Sequence, residues 1–477
     1  MSMEEFVKAR LHEVIPADKV LFEEEIHSTS ALYNDRSGNK LRQKLLTMFP
    51  PPFPFSIQQN GLAELRRLLW PEVRLATVTE PQRKQDEQRG ILRLLDSRQE
   101  SLARRLDAPK AIIHGPAGSG KSIVLVHKAI AEFNRLKGAE GVLLVCYNLT
   151  LVHYLKRLLA EYGAPLGSKG IRVMHFYDFC HSLVQEKIAY EKEDTDYYKM
   201  VCDAALEVAP NTQKLGAILV DEGQDFSDAM MQVLLAVGKP EGLFWVAMDL
   251  GQELYHEDAR WRRDVMFRQF TLQHPYRASL ALTQYCEKLL RLGNADCTNK
   301  STENGTEAEQ APDIFAAEQS LGIAPIFVKI HSAVEQAKSI ASTIRELHES
   351  GVPYAEMRIL YASKKIAGVH ANYPEFLADY LENEGVLCSW VSQDASSKMA
   401  WDCTTERVAI STIHSMKGLD ATVIFVCGLD ALEQTSIPWQ NLVKLAYVAC
   451  TRARESLYVF YEQETPIILS LKDHVAS

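Results

Sequence analysis

The sequence predicts an α/β protein made of two halves, each built on a parallel sheet. Short apolar strands, one of them over residues 171–177, alternate with helix-length runs between residues 111 and 189, and the alternation returns between residues 322 and 454. This order is typical of parallel sheets, whose ligands gather at the carboxyl ends of the strands. A glycine-rich turn follows a strand in the first half alone. We therefore expect the two halves to have different roles.

The glycine-rich turn lies between the apolar strand 111–114 and the helical run 123–136, and it predicts a phosphate-binding loop. Its glycines allow the backbone N–H groups to face a triphosphate, Lys121 reaches the β- and γ-phosphates, and the Ser122 hydroxyl is suited to Mg²⁺. The residues of this predicted nucleotide site are Gly115, Ala117, Gly118, Ser119, Gly120, Lys121 and Ser122.

Composition sets the outer limits. A chain of 477 residues with 47% hydrophobic content is long enough for two or three domains with sizeable cores. It has no apolar run of membrane-spanning length, and its start lacks the pattern of a secretory signal, which predicts a cytoplasmic protein. The nine cysteines are scattered without a C-x-x-C pair, which argues against a zinc site and a disulfide framework.

The net charge of −10 at first sight disfavours a nucleic-acid partner. This objection is weak, because charges are screened over roughly 8 Å at physiological salt, so that a bound strand responds mainly to its own groove.

Two segments precede the phosphate-binding loop. Residues 1–75 predict an N-terminal helical region of unknown role, interrupted by the proline-rich stretch 50–54. Residues 85–108 predict broken helices, and Gln99 lies shortly before the first strand. A glutamine there is able to hydrogen-bond both edges of an adenine, although this residue by itself carries little weight.

Acidic residues follow the predicted strand 216–220. Asp221 is suited to hold Mg²⁺ through water, and Glu222 to orient or deprotonate an attacking water. Further along, the strand 243–248 is followed by an acidic tip with Gln252 and Tyr255. The polar stretch 294–312 predicts a loop or linker before the second half.

The first half lacks a cation for the charge that develops on a transferring phosphoryl group. Arg452 or Arg277, brought from the second half across a cleft, would supply it. Arginines used in this way are worth roughly 10³–10⁵ in turnover. Hydrolysis would then depend on closure of the cleft between the halves.

Taken together, these motifs resemble the ordered motif set of UvrD/Rep-type superfamily 1 DNA helicases, from Gln99 to Ala453. The residues that carry the resemblance are Gln99, the 115–122 loop, Tyr147-Asn148, His175-Phe176, the 221–225 stretch, Asp249, Gln252, Tyr255, Tyr276-Arg277, Thr412, His414, Lys417-Gly418, Asp420, and the 447–453 stretch. The resemblance is closest to the helicase part of proteins with an upstream nuclease-related domain, although no nuclease pattern is present.

The resemblance implies a role for each matched position. Gln99 would read adenine, Tyr276 would stack on it, and Asp420 would lie near the ribose. Gly418 is a further implied cofactor-binding residue. Lys121, Ser122 and Asp221 would hold ATP and Mg²⁺, and Glu222 would be the catalytic base. Contacts to the γ-phosphate would come from Gln252, Arg277 and Arg452. The residues implied along a track for single-stranded DNA are Tyr147, Asn148, His175, Phe176, Tyr255, Thr412 and His414.

The sequence departs from the family pattern in three ways. The asparagine that the family has before its Tyr-Arg pair is Pro275 here. A tryptophan expected after Tyr255 is Glu257, and Trp261 is the candidate to replace it. The intervals that hold accessory domains in the family are short here, so that the first insertion is reduced to 180–215 and the second is essentially absent. Engagement of duplex DNA is therefore in doubt.

The resulting expectation is a chain with two RecA-like domains, residues 76–268 and 269–470, and an ATP cleft between them. Its predicted function is that of an ATP hydrolase that moves 3′→5′ on single-stranded DNA, in DNA repair or antiviral defence, with a partner that is a nuclease or another protein. The alternative is a nucleotide-switched DNA-binding or sensor module that regulates a partner nuclease. RNA as the substrate is a third, weaker option.

Overall fold

The structure is a computed structural model, and residues 98–477 form one compact unit in it. It describes Ala103, Leu106 and residues 108–138, 140–184, 195–252, 259–272, 275, 278–293, 309–310, 322–364, 372–432 and 437–476. The helical region predicted over residues 1–75 lies outside the described residues.

The first half is built on a parallel sheet with strand order β3-β2-β4-β5-β1-β6-β7. Its central strands are buried along nearly their whole length, which explains why they are apolar without alternation. The strands are β1 Lys110–His114, β2 Val142–Cys146, β3 Ile171–His175, β4 Leu215–Val220, β5 Gly238–Met248, β6 Arg268–Thr271 and β7 Glu309–Gln310.

Helices cover this sheet and connect its strands. Helix α1 follows the phosphate-binding loop directly, and the side-chain oxygen of Asn148 caps α2 by accepting from the N–H of Thr150. The helices of this part are α1 Lys121–Leu136, α2 Leu149–Glu161, α3 Phe176–Val184, α4 Thr195–Val208, α5 Asp228–Val237 and α6 Leu280–Gly293.

The second half is built on a parallel sheet of its own, with strand order β10-β11-β9-β12-β13-β8. The strands are β8 Ile326–Lys329, β9 Met357–Tyr361, β10 Cys388–Trp390, β11 Val408–Thr412, β12 Ala421–Cys427 and β13 Ala453–Tyr461. The helices are α7 Ala333–Glu349, α8 Tyr373–Asn383, α9 Ala395–Ala400, α10 Leu429–Leu432, α11 Trp439–Cys450 and α12 Pro466–Ala476. The predicted α/β class with two parallel sheets is confirmed.

Several details differ from the sequence prediction. The strand expected over 171–177 ends at His175, because α3 begins at Phe176. The domain boundary predicted at residue 268 falls on β6, which pairs with β1 in the first sheet. Residues 309–310 of the predicted polar loop form β7 beside β6. Among the described residues, no helix is long and apolar enough to cross a membrane.

Candidate functional site

The phosphate-binding loop connects β1 to α1 and has the backbone that its glycines predict. Gly118 and Gly120 have φ values of 74° and 83°, in the left-handed region that glycine adopts without strain. A Cβ atom on Gly115 would lie 2.6 Å from the Ser119 hydroxyl oxygen, so this position is also restricted to glycine. The Lys121 ammonium donates to the carbonyl oxygens of Gly115 and Pro116, both at 2.8 Å. The Lys121 side chain therefore lies against the backbone of the loop.

Two carboxylates follow β4 at the same edge of the sheet. Asp221 is 1% exposed, and burial beside Glu222 raises its pKa to about 7. One of its oxygens accepts from the N–H of Glu222, and the other is buried with no hydrogen-bond partner among the described residues. Glu222 has a φ of 54°, which is unusual for a residue other than glycine. Strained backbone of this kind is common at functional sites.

The side chains around these carboxylates form a buried polar network. The Gln224 amide donates to Glu222, and its oxygen accepts from the N–H of Asp249 at 3.0 Å. The Asp249 carboxylate in turn accepts from the Gln252 amide at 2.9 Å. Gln252 is 2% exposed, and its side-chain oxygen has no partner among the described residues. This network holds the Glu222 side chain in place and leaves the Gln252 side-chain oxygen as an acceptor without a partner among the described residues.

The donor set of this edge fits a nucleotide with a divalent cation. Mg²⁺ prefers carboxylate and hydroxyl oxygens, and Asp221 and Ser122 supply one of each. Contact with Ser122 lowers the pKa of Asp221, which places the two side chains together. A cation there would also offset the charge that burial makes unfavourable on Asp221. Among the described residues, no cluster of three or more histidine, cysteine or acidic side chains forms a metal site of protein ligands alone.

Lys417 joins the second half to this network. Its ammonium lies 2.6 Å from an Asp225 carboxylate oxygen and 2.8 Å from the Gln252 carbonyl oxygen. Both charged side chains are buried, each with about 4% of its surface exposed. The next residue, Gly418, has a φ of 81°, and a Cβ atom on it would lie 3.0 Å from a Glu222 carboxylate oxygen. The segment after β11 therefore lies directly against the two acids of the first half.

Asn148 holds the same segment from the other side. Its side-chain amide donates to the carbonyl oxygens of Ser415 and Lys417, at 3.2 and 2.9 Å. The Thr150 hydroxyl also donates to the carbonyl oxygen of Ser415, at 2.5 Å. Within the segment, the Thr412 hydroxyl accepts from the N–H of Ser415. We call residues 412–418 the coupling loop, because they contact both the acidic network and the start of α2.

Arg452, at the end of α11, is 2% exposed and is held by neighbours of its own half. One guanidinium nitrogen lies 3.1 Å from an Asp420 carboxylate oxygen, and another donates to the Thr451 hydroxyl at 3.1 Å. Its charge lowers the pKa of Asp249, although burial of that carboxyl is the larger effect and raises the pKa overall. The effect of Arg452 on the pKa of Asp249 is smaller than that of Lys121, but it comes from the other half.

An aromatic patch lies beside the coupling loop. We define it as Tyr147, His175, Tyr177 and Tyr198, whose neighbouring ring centroids are 4.6 to 6.0 Å apart. The His175 ring interacts with the carbonyl oxygen of Tyr147 at 2.7 Å. Lys398 adds positive charge, since it lowers the pKa of both His175 and His414, although burial is the main cause for each. Tyr147, Tyr198 and Lys398 are half-buried and reach the surface, whereas His175 and Tyr177 are only 6% and 4% exposed and support the two outer rings from beneath.

The second half can be classified once this geometry is known. Residues 389–464, which include the coupling loop and Arg452, match the UvrD-like helicase C-terminal domain. This segment of the second half is therefore similar to a helicase domain of the UvrD type.

Two curated relatives match parts of the chain, and one of them is a probable DNA helicase by name. The chain is 28% identical over 147 residues to the RecBCD enzyme subunit RecB of Chlamydia pneumoniae, covering 29% of this chain and 14% of the relative. It is 25% identical over 286 residues to a probable DNA helicase of Mycoplasma pneumoniae, covering 55% of this chain and 49% of the relative. In both cases the match spans less than half of the relative.

Two solved structures show weak likeness. The helicase nonstructural protein 10 of an arterivirus, in complex with DNA, has a TM-score of 0.36 at 16% identity, covering 78% of this chain and 65% of that one. The C-terminal domain of a possible DNA helicase from Lactobacillus plantarum has a TM-score of 0.28 at 13% identity, covering 41% of this chain and 92% of that one. The parallel strand order, rather than these likenesses, establishes the α/β fold.

Most of the predicted site residues lie together in the structure. The phosphate-binding loop, Asp221, Glu222 and Gln252 meet Gly418 of the UvrD-like domain at one edge. Tyr147, Asn148, His175, Thr412 and His414 lie at or beside the coupling loop. Gln99, Tyr255, Tyr276 and Arg277 lie outside the described residues, and their roles stay predictions.

Two aromatic residues lie in the core instead. The Phe176 ring is fully buried and packs edge-on against Phe226, with centroids 5.6 Å apart. Trp261, the candidate replacement for the missing tryptophan, is 7% exposed, and its indole N–H donates to the Phe226 carbonyl oxygen. Neither ring is available for base stacking in this structure. We therefore correct both assignments to packing roles.

The sequence analysis missed the contacts that join the two halves. Lys417 belongs to a matched motif, but it was given no role, and Asn148 was assigned to DNA rather than to the coupling loop. Gln224, which lies within the matched 221–225 stretch, likewise has no role assigned from the sequence. A lysine and an aspartate at the ends of buried strands are a weak sign of pairing, and their distance of 192 residues along the chain hides it.

Proposed function

We propose that this chain is an ATP-driven translocase or helicase that acts on single-stranded DNA and moves 3′→5′. The observation that carries this proposal is the coupling loop of the UvrD-like domain. Lys417 and Gly418 contact the acidic network, while Asn148 binds the same loop beside the aromatic patch. The coupling loop thus connects the proposed nucleotide site directly to the proposed strand-binding surface.

The proposed ATP site uses both halves. Lys121, Ser122 and Asp221 would hold the phosphates and Mg²⁺, whose charge would stabilise the phosphate oxygens. Glu222 would accept the proton of the attacking water, and Gln252 and Arg452 would contact the γ-phosphate. Arg277 is proposed as a second γ-phosphate contact. Gln99, Tyr276, Gly418 and Asp420 are proposed to bind the nucleoside.

An apolar cavity beside the phosphate-binding loop suits the nucleoside. It measures about 70 Å³ and is walled by Pro116 and Ala117 of the loop together with residues of α6 and α11, including Leu282 and Tyr447. Adenine buries its faces against apolar groups of this kind. The cavity adjoins Pro275, the residue before the predicted stacking Tyr276.

The proposed strand-binding surface is formed by Tyr147 and Tyr198 of the aromatic patch with Thr412, His414 and Lys398, and the buried rings of His175 and Tyr177 hold the two outer rings in place. Aromatic stacking contributes roughly 1–3 kcal/mol per base and accepts any sequence, as a moving motor requires. Lysine next to such rings would bind the phosphate backbone. We include Tyr177, Tyr198 and Lys398 on the basis of the structure, and we retain Tyr255 as a predicted contact.

The pathway and the partner belong to the same proposal. We infer a cytoplasmic role in DNA repair or antiviral defence, together with a partner protein that is a nuclease or feeds one. The reduced insertion over 180–215 supports a need for a partner, and one relative is by name a subunit of a larger enzyme. A purified chain that unwinds long duplex DNA alone would remove the reason for a partner.

A nucleotide-switched binding or sensor module that regulates a partner nuclease is the second candidate. The buried contacts between the halves are compatible with this candidate, because a switch also needs two coupled sites. Glu222 and Arg452 favour the motor, since a pure switch has no need of a catalytic base. RNA in place of DNA would use the same stacking surface.

The first test is ATP hydrolysis by the pure protein with and without single-stranded DNA, with Glu222→Gln as the control. We expect strong stimulation by DNA that the variant abolishes. The same oligonucleotide as RNA decides the sugar preference. Hydrolysis that ignores both nucleic acids, or that requires another protein, would refute the motor and support the switch.

A further inference from the structure

A second cavity, of about 530 Å³, lies at the opposite edge of the first sheet. It opens at the amino ends of β2, β3 and β4, whereas the phosphate-binding loop lies at the carboxyl end of β1. The strands are parallel, and strands of five or six residues separate the two edges by roughly 17–20 Å. The polar residues of its lining include Ser168, Lys169, Arg172, Ser182, Thr212 and Gln213. None of them belongs to the nucleotide site.

Arg172, on β3, is the most unusual residue of this cavity. Its guanidinium lies over the backbone of Gly141, where a Cβ atom would be 3.3 Å from one of its nitrogens. Burial lowers the pKa of Arg172, and no neighbouring charge contributes to that shift. Among the described residues, it has neither a hydrogen-bond acceptor nor an acidic partner. A half-buried arginine without a partner costs free energy, which a bound anion would recover.

The remaining charges of the lining leave this cation uncompensated. Glu140 is the one acid among the lining residues, and its carboxylate is bound by Lys239 at 2.6 Å. Lys169 adds a second positive charge at the cavity. Among the described residues of its lining, the cavity thus has two cations, Arg172 and Lys169, and one acid that is already paired with Lys239, in a chain whose net charge is −10. This local reversal of sign indicates an anionic ligand.

The hydroxyl and amide groups of the lining differ in what they offer such a ligand. The Thr212 and Ser182 hydroxyls already donate to the carbonyl oxygens of Ala209 and Phe179 within the cavity wall, so they have no hydrogen left for an anion. Ser168 and Gln213 also line the cavity, and their side chains are able to donate to a ligand. A concave space of several hundred Å³ with a few polar groups is typical of sites for small molecules.

We propose that this cavity binds a phosphorylated small molecule of nucleotide size, with its phosphate on Arg172 and Lys169. Arginine matches phosphate oxygens with two parallel hydrogen bonds, which makes Arg172 the anchor. The cavity wall includes the end of α3, and Tyr177 of the aromatic patch lies in the same helix. Binding would thus stabilise the helix that presents part of the proposed strand-binding surface. The site itself does not depend on helicase activity.

The test uses the full chain carrying Lys121→Ala, which weakens anion binding at the phosphate-binding loop. Pyrophosphate and AMP are titrated separately by calorimetry. We expect one molar equivalent of at least one of them to bind, Arg172→Gln to weaken binding at least tenfold, and Arg172→Lys to weaken it less. Arg135→Gln is the matched control, because Arg135 is an exposed arginine of the same half with 60% of its side chain accessible. It should leave the affinity unchanged.

Two further readouts make the proposal falsifiable. Without ligand, Arg172→Gln should melt at the same temperature as its parent or higher, because it removes an unpaired cation. A lower melting temperature would instead assign Arg172 a structural role and overturn the proposal. No saturable binding of either probe, equal binding by Arg172→Gln, or binding of an oligonucleotide alone would also overturn it.

Discussion

The ammonium group of Lys417 lies 2.6 Å from the carboxylate of Asp225, and this buried pair links the coupling loop of the second half to the acidic network of the first. Removing one partner of a buried ion pair leaves an uncompensated charge and costs about 3–5 kcal/mol. The pair therefore contributes both to the contact between the two halves and to the stability of the fold.

We expect Lys417→Met to abolish stimulation of ATP hydrolysis by DNA and to lower the melting temperature. The double variant with Asp225→Asn should recover stability, since both buried charges are gone, but not stimulation. Lys338→Met, at an exposed position of α7, is the control. Melting curves and ATPase assays compare these three variants with the natural chain. Full stimulation in Lys417→Met would contradict the coupling role.

Asp225 should also produce a pH dependence of stability. Burial raises its pKa to about 6 despite Lys417, so the folded state binds a proton more tightly than the unfolded state does. Through this group, the free energy of unfolding falls as the pH rises from about 4 to about 6, by up to about 3 kcal/mol. Urea unfolding at pH 4.5 and 7 should show a smaller difference between the two pH values for Asp225→Asn than for the natural chain.

The left-handed backbone at Glu222 predicts a difference between two small substitutions. Glu222→Gly and Glu222→Ala both remove the carboxylate, but only glycine adopts a φ of 54° at no steric cost. We expect the glycine variant to be more stable by about 1 kcal/mol and both to lack ATP turnover. Chemical denaturation compares them, and equal or reversed stabilities would mean that the backbone relaxes in the alanine variant.

Asn148 combines two roles that one substitution should separate. Its oxygen caps α2, and its amide nitrogen binds carbonyl oxygens of the coupling loop. Asn148→Asp keeps the cap but places a carboxylate against those carbonyls, whereas Asn148→Ala loses both functions. We expect both variants to lose DNA-stimulated hydrolysis, with the alanine variant losing about 1 kcal/mol more of helix stability. A fully stimulated Asn148→Asp would show that the amide contacts are dispensable.

Tyr147 of the aromatic patch and the buried Phe176 should respond differently to substitution. Tyr147→Ala should weaken binding of single-stranded DNA by about 5- to 150-fold, which corresponds to one stacked base. Phe176→Leu should leave the affinity unchanged and reduce stability, because its ring lies in the core. Fluorescence anisotropy with a labelled oligonucleotide measures the first effect and thermal melting the second. Loss of affinity in the folded Phe176→Leu protein would restore the residue to the strand track.

Local sequence was sufficient for the elements and for the chemistry that lies within a few residues. Strands β1, β2 and β9 follow from short buried apolar runs, and the phosphate-binding loop follows from glycines at positions where the backbone requires them. Asp221 and Glu222 could likewise be placed at a strand end, because they directly follow the buried apolar run of β4. These features depend on neighbours in the chain, which the sequence displays directly.

Tertiary structure alone decided which residues meet across the halves. The pairing of Lys417 with Asp225, the contact of Asn148 with the coupling loop and the burial of Phe176 depend on packing between segments that are far apart in sequence. The cavity around Arg172 likewise forms from loops at the amino ends of three strands. Residue type indicates what a side chain is able to bind, but burial and proximity determine what it does bind, because they set the cost of leaving its charge or ring without a partner.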